Sequence, residues 1–333
     1  MAAELTFLGD LLPYDEQLRS GYIEGLDYYV NILNSASNGT IRYGSELTAG
    51  LKKTTAYFKD FGTIERRDIT SDAIQETEKI QRAERSEFKT FWKLKPVAWQ
   101  WTAFKTADNM SVEDVMFMIG KKFAEKKLEY TVRRAISILA AAIKSNTNMV
   151  VSSTDNITVA EVLLAKAKFG DAAGKLKALV MHSAAYFTLI AGQIKGDVTL
   201  IGENLMLYGG SPATMGIPVI VTDNPELVGS EGAYDTLFLT DSAVTLNDNG
   251  SSTYIADTVP GHENIKSLMQ GEGDMWNYVK GYQLKSTAGT NPTEEALDDP
   301  ANWEKWEKSD KNTAGVVIST KADVATALKA ANA

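Results

Sequence analysis

The sequence predicts an α+β protein organised around one long helix. Three observations carry that prediction. Apolar residues recur at steps of three and four across residues 112–143. Apolar and charged residues alternate with period two across residues 92–101. Between residues 150 and 258, short apolar runs alternate with helical patterns that begin at capping residues. Period 3.6 marks a helix with a buried face, and period 2 marks a half-buried strand.

In chain order, residues 1–43 read as an N-terminal arm. Within it, "DEQLRSGYIEGLDYYVNIL" predicts a short amphipathic helix with Tyr22, Ile23, Leu26, Tyr29 and Val30 on one side, followed by a loop over residues 34–40. The charged stretch "IERRDITSDAIQETEKIQRAERSEFKTF" places Ile74, Thr77, Ile80 and Ala83 at helical spacing, a thin apolar stripe on a solvated helix. The period then changes. Trp92 and Leu94 alternate with Lys93 and Lys95, and Val97, Trp99 and Trp101 continue the alternation, which predicts a strand with one apolar face. Pro96 puts that strand at a sheet edge or a bend. A lone ribbon is marginal in water, so this region needs a neighbour to cover its tryptophans.

The long helix follows. Ser111 and Asp114 form a capping-box-like start. Lys121, Lys122, Glu125, Lys126, Glu129, Arg133 and Arg134 occupy its other faces, with Glu129 and Arg133 well spaced for pairing. About 35 residues at about 1.5 Å each give a spine roughly 50 Å long. Gly120 is its weak point. Beyond it, Thr158 and Glu161 cap the helix "VAEVLLAKAKF", closed by Gly170. "KALVMH" predicts a buried strand, and Ser183 opens the helix "AAYFTLIAG". After the turn "YGGSPATMG", "IPVIVTD" predicts a second strand and "DTLFLTDSAVTL" a third. Residues 259–333 hold "MWNYVKGYQLK", a polar stretch with Trp303 and Trp306, "GVVIST" and an Ala-rich helix from Ala322.

Composition narrows the function. The 333 residues suffice for two or three domains and a large core. The net charge of −9 disfavours a nucleic-acid-binding protein, so any DNA contact is expected to be local or weak. With no cysteine, disulfides, thiolate nucleophiles and cysteine zinc sites are excluded. The first residues carry acids where a signal peptide needs a basic region, and no run of about 18 apolar residues predicts a membrane span. His182 ends an apolar strand and reads as structural; His262 reads as a loop residue. Phosphate-loop, dinucleotide and nucleophile-elbow patterns are missing. Ser86 and Lys89 match a Ser-x-x-Lys pattern without its companion motifs, and Asp298 and Asp299 read as loop solvation. No catalytic, cofactor-binding or metal-binding residue is expected.

Several stretches, in order over roughly residues 44–320, resemble one family. They are "IERRDI", "SVEDVMFMIGKKFAEKKLEYTVRRAISILAAAI", "ALVMHSAAYFTLI", "MGIPVIVTDNPEL", "KGYQLK", "NPTEEAL", "NW" and "KNTAGV". The set resembles the major capsid proteins of tailed bacteriophages. That resemblance implies the Hong Kong 97-type capsid fold. Residues 1–43 would be an arm clasping an adjacent subunit, and 44–107 an extended loop reaching over a neighbour. Residues 108–149 and 259–333 would form the peripheral domain, and 150–258 the axial domain. It further implies self-assembly into pentamers and hexamers of an icosahedral virion shell around double-stranded DNA. Assembly would take place in the host bacterial cytoplasm, with portal and scaffolding proteins as partners, in some members also a maturation protease or a decoration protein, and with no cofactor and no membrane. Arg66, Arg67, Trp92, Trp99, Trp101, Trp303 and Trp306 are the candidates for intersubunit contact. Trp303 and Trp306 either pin their irregular stretch onto a neighbour or cover this subunit's own core. The alternatives are an encapsulin-like compartment holding a cargo protein, and an α/β enzyme with His182 or Asp223 in its site.

Overall fold

Helix α2 (Val112–Lys144) organises the molecule. The structure is a computed structural model. It describes residues 12–46, 50–60, 64, 66–67, 69–72, 74, 81–100, 111–192, 214, 216–229, 232–250, 253–259, 261, 263 and 266–331. Ser111 caps α2, its hydroxyl accepting from the Asp114 N–H at 3.1 Å. Over its last turns, residues 135–143 are buried on every side. A helix apolar all round must run through a core.

Helix α1 (Leu12–Ala36) crosses the first half of α2. At 25 residues it is longer than the sequence suggests, and its buried side differs. Leu18, Gly21, Tyr22 and Gly25 face α2, whereas Ile23 is 56% exposed. Glycine explains the rotation. A Cβ on Gly21 would lie 2.2 Å from the Phe117 carbonyl oxygen, and one on Gly120 would lie 2.2 Å from that of Leu18. The backbones touch where side chains are missing, so the smallest residues, not the largest, choose the contact face.

Among the described residues the strands form two sheets. In the first, β1 (Ile41–Ser45), β8 (Val244–Asp248), β10 (Lys266–Val279), β11 (Tyr282–Leu284) and β12 (Trp303–Lys305) lie side by side. β3 (Gln81–Gln100) and β9 (Thr253–Val259) also pair with β10, and β2 (Lys52–Asp60) pairs with β3. The second sheet runs β4 (Val150–Asn156), β13 (Gly315–Lys321), β7 (Ala233–Thr240), β5 (Leu176–Met181) and β6 (Val219–Val221). Helices α3 (Val159–Phe169), α4 (Ser183–Ala191), α5 (Glu294–Asp298) and α6 (Val324–Ala331) complete the described fold. One apolar core joins the C-terminal half of α2 to both sheets, and a smaller one of Leu18, Tyr22, Trp92, Met116, Phe123 and Met269 lies under α1.

Three expectations need correction. The helix expected over the charged stretch is strand from Gln81 onward, because β3 pairs along its length with β2 and β10; residues 75–80 lie outside the described residues. Long-range pairing outweighs the local spacing of Ala83. "DTLFLTDSAVTL" is two strands in different sheets, broken at a turn where Ser242 has φ +52°. The polar stretch holding Trp303 is not an open loop: it forms α5, short 3-10 turns and β12. Sheet membership does not follow chain order. β8 and β9 join β10, while β13 is inserted between β4 and β7.

Pro96 behaves as its chemistry requires. Val97 pairs with Met269 and Leu94 with Gly271, so Lys95 and Pro96 together face Gln270 in a bulge. β2 stops at Phe88, which leaves the other side of β3 an edge at Pro96 among the described residues. The bulge also explains why apolar positions shift from even (Trp92, Leu94) to odd (Val97, Trp99).

Candidate functional surface

Most of the tryptophans expected to need a neighbour are sheltered by their own subunit. Trp92 is buried, its ring 5.9 Å from that of Phe123 and 4.7 Å from the Lys127 ammonium. Trp99 is half-buried against the same small core. Trp303 is 2% exposed; its indole N–H donates to the Leu297 carbonyl at 2.9 Å, and its ring meets Phe88 edge-on at 5.6 Å. Trp306 is half-buried and its backbone N–H donates to the Gly281 carbonyl at 3.2 Å. Trp92 and Trp303 thus take places in this subunit's own core. α1, α2 and β9 supply the cover, which a period-two pattern in β3 cannot reveal. Trp101 lies outside the described residues.

The bare apolar surface is elsewhere. Between β2 and β3, Ile64, Ile69 and Ile74 are 101%, 84% and 100% exposed, and Arg66 and Arg67 are exposed among them. Isolated exposed apolar residues are ordinary; three in one segment are less so. Further along the ribbon, Phe91 and Val97 are half-exposed. A groove of about 810 Å³ lies between α2 and the β3–β10 pair, lined by Phe91, Trp92, Leu94, Phe123 and Tyr130, with Glu272 and Glu294 on its rim.

A buried ionic hub fixes α2 against the first sheet beneath that groove. The Lys127 ammonium donates to Asp248 and, at 2.6 Å, to the Tyr22 hydroxyl. Asp248 also accepts from the Tyr43 hydroxyl at 3.0 Å. Beside it, Lys89 meets Asp274 at 2.5 Å, and Asn249 donates to the same carboxylate at 3.1 Å. Burial pulls the Lys127 ammonium below the usual lysine range, against the opposing pull of Asp248. Burial, aided by Asp248, pushes the Tyr43 hydroxyl above the phenol range. A buried pair adds little net stability when whole, but losing one partner strands a charge at a cost of about 3–5 kcal/mol. The hub therefore selects one placement of α1, α2, β1 and β8.

His182 and Asp298 each hold elements of the fold in place. The His182 ring Nδ1 caps α4, accepting from the Ala184 N–H at 3.2 Å, while its other nitrogen lies 3.9 Å from the exposed Asp223. Asp298 accepts from Arg134 at 3.0 and 3.1 Å and from Ser137, tying α5 to α2. His262 lies outside the described residues. Among the described residues there is no group of three or more histidines or carboxylates that could hold a metal ion, and no helix long and apolar enough to cross a membrane.

Comparison with known proteins agrees with this architecture. The capsid asymmetric unit of cyanophage Pam1 is similar at 11% identity and a TM-score of 0.50, over 85% of this chain and 88% of that chain. A structure from Microbacterium phage Oxtober96 is similar at 9% identity and a TM-score of 0.50, over 86% and 91%. At such identities the likeness is one of fold, the Hong Kong 97-type capsid fold. No curated protein matches the sequence. A family model described as major capsid protein 13-like matches residues 10–317. The chain therefore belongs to that family, and is a major capsid protein of the tailed-bacteriophage kind.

Proposed function

We propose that this subunit closes pentamers and hexamers of an icosahedral shell by handing its β2–β3 ribbon to a neighbouring copy. The single observation carrying this reading is the exposure of Ile64, Ile69 and Ile74 around Arg66 and Arg67. Burying one such side chain is worth about 1.5–3 kcal/mol, and a shell repeats each contact many times. In this reading the first sheet with α2 is the peripheral domain. The β4–β13–β7–β5–β6 sheet is the axial domain, facing the centre of the ring. Trp99 and Trp101 serve the same ribbon, and Arg66 and Arg67 pair with carboxylates of the adjacent copy. The assembled shell encloses double-stranded DNA, is built in the host bacterial cytoplasm, and meets portal and scaffolding proteins, with protease and decoration proteins as optional partners. The work is geometric, with heterologous contacts closing on themselves, and needs no reaction.

Electron microscopy of the purified chain tests this reading. The unaltered chain should give closed shells. The Ile64→Asp, Ile74→Asp double variant should melt at the same temperature, because neither side chain is buried in its own subunit, yet give no shells. Normal shells from that variant would remove the ribbon from the interface, and a wild-type chain that stays in small discrete oligomers would remove the shell.

A further inference from the structure

An acidic chain concentrates positive charge where strand ends of its two sheets meet. Thr240, the last residue of β7, is the centre of the cluster. Its hydroxyl is shared between the carbonyls of Thr313 and Ala314, at 3.1 Å each. It receives the Lys280 ammonium at 3.5 Å. Across the sheet Thr240 pairs with Leu176, which places Lys175 alongside. Lys280 also donates to the Asp241 carbonyl at 2.9 Å, and Arg42 grips the Asp241 carboxylate at 3.1 and 3.2 Å. Lys175 donates to Asn312 at 2.8 Å, next to Lys311, which pairs with Asp171 at 2.5 Å. The Lys177 carbonyl accepts from Asn38 at 3.4 Å.

Among the described residues, five cations (Arg42, Lys175, Lys177, Lys280 and Lys311) thus stand on these segments with the carboxylates of Asp171 and Asp241, while neighbouring Asp310 is turned to Asn146, Asn148 and Lys305, in a chain whose net charge is −9. Their mutual repulsion is felt. Burial first, then Lys175 and Arg42, pull the Lys280 ammonium below its usual range, against Asp241. Arg42, Lys175, Lys177 and Lys311 are exposed.

The kind of partner follows from what the cluster lacks. The segments that carry it, residues 38–42, 171–177, 240–242, 280–281 and 311–313, expose no aromatic or large aliphatic side chain. Protein interfaces concentrate such side chains and are depleted in lysine. Spaced ammonium groups without stacking platforms suit phosphate oxygens and carry no base preference. We propose that this cluster is where the subunit touches the phosphate backbone of the enclosed double-stranded DNA, whatever its sequence. The proposal rests on the shell reading above. It agrees with the acidic composition, which leaves room only for local contact.

Fluorescence anisotropy with the full-length chain and a labelled mixed-sequence duplex tests it. Dissociation constants on the order of 10⁻⁶–10⁻⁴ M are expected near physiological salt, weakening as salt rises, with a slope of about 0.9 per phosphate contact. In Lys175→Glu, Lys311→Glu that slope should fall by about 2 and affinity by about tenfold or more. Lys122→Glu, Lys321→Glu changes net charge equally, on α2 and at the far end of β13, and should stay within about twofold of the parent. Thermal melts confirm that both variants fold. Equal loss in both variants, or loss in neither, overturns the proposal. So does unchanged duplex binding with altered self-association in sedimentation, which would assign the cluster to an acidic surface of a second copy. If wild-type shells form in the microscope while the cluster variant binds normally, only this proposal fails; if they do not form, the shell reading fails with it.

Discussion

Gly120 shows how one residue can mean opposite things at two levels of description. In the sequence it weakens a helix by about 1 kcal/mol relative to alanine. In the fold it is the point at which α1 and α2 touch, with Gly21 opposite. Gly120→Ala should therefore destabilise the subunit in spite of the better helix former. The new methyl would meet backbone, which cannot rotate away, and overpacking of that kind costs about 1–3 kcal/mol. A lowered urea midpoint with an unchanged slope is expected; a midpoint equal to the parent's would show that the helices do not meet there. Trp303 carries the same lesson. Its residue type left open whether it meets a neighbour or this subunit's own core, and Phe88 and the Leu297 carbonyl, from other elements, bury it here.

Elements bounded by local chemistry were legible in the sequence. The caps at Ser111 and at Thr158 with Glu161 are satisfied as their spacing predicts, and α3 ends at Gly170. β3 was half legible, because its first residues take their conformation from β2 and β10 and not from their own pattern. The turn after β12 was not legible as a clamp. Asp310 accepts from Asn146 at 2.7 Å, Asn148 at 3.3 Å and Lys305 at 2.6 Å, pinning the C-terminal stretch to the end of α2. Burial alone would raise its carboxyl; Lys305 and the two amides outweigh burial and hold it below the usual carboxylate range. A depressed carboxyl gives stability that is present above its unfolded value, about 3.9, and is lost as pH falls through the folded one. Asp310→Asn should thus cost about 1.5–3 kcal/mol at pH about 6, and the gap to the parent should narrow steadily as pH falls below about 3.9. A gap that persists in acid would mean that the charge is not what the clamp uses.

At the scale of the whole molecule, motif order pointed to the fold family, but sheet membership stayed hidden. Val150 pairs with Val317 and Ile41 with Val244, and no local pattern records such distant partners. For the same reason nothing local shows that β8 and β9 pair with β10. The placement of β13 carries the largest consequence. It bonds to β4 on one side and β7 on the other, so without it the second sheet is two fragments. A chain ended after residue 312 should lose hydrogen-exchange protection at residues 150–156 while α2 keeps its own; protected amides in β4 would contradict the topology. During synthesis, β4, β5, β6 and β7 are all made before this keystone arrives. Chains cut short by a stalled ribosome or a nonsense codon would then lack a finished second sheet, and a growing lattice would reject them without any separate inspector.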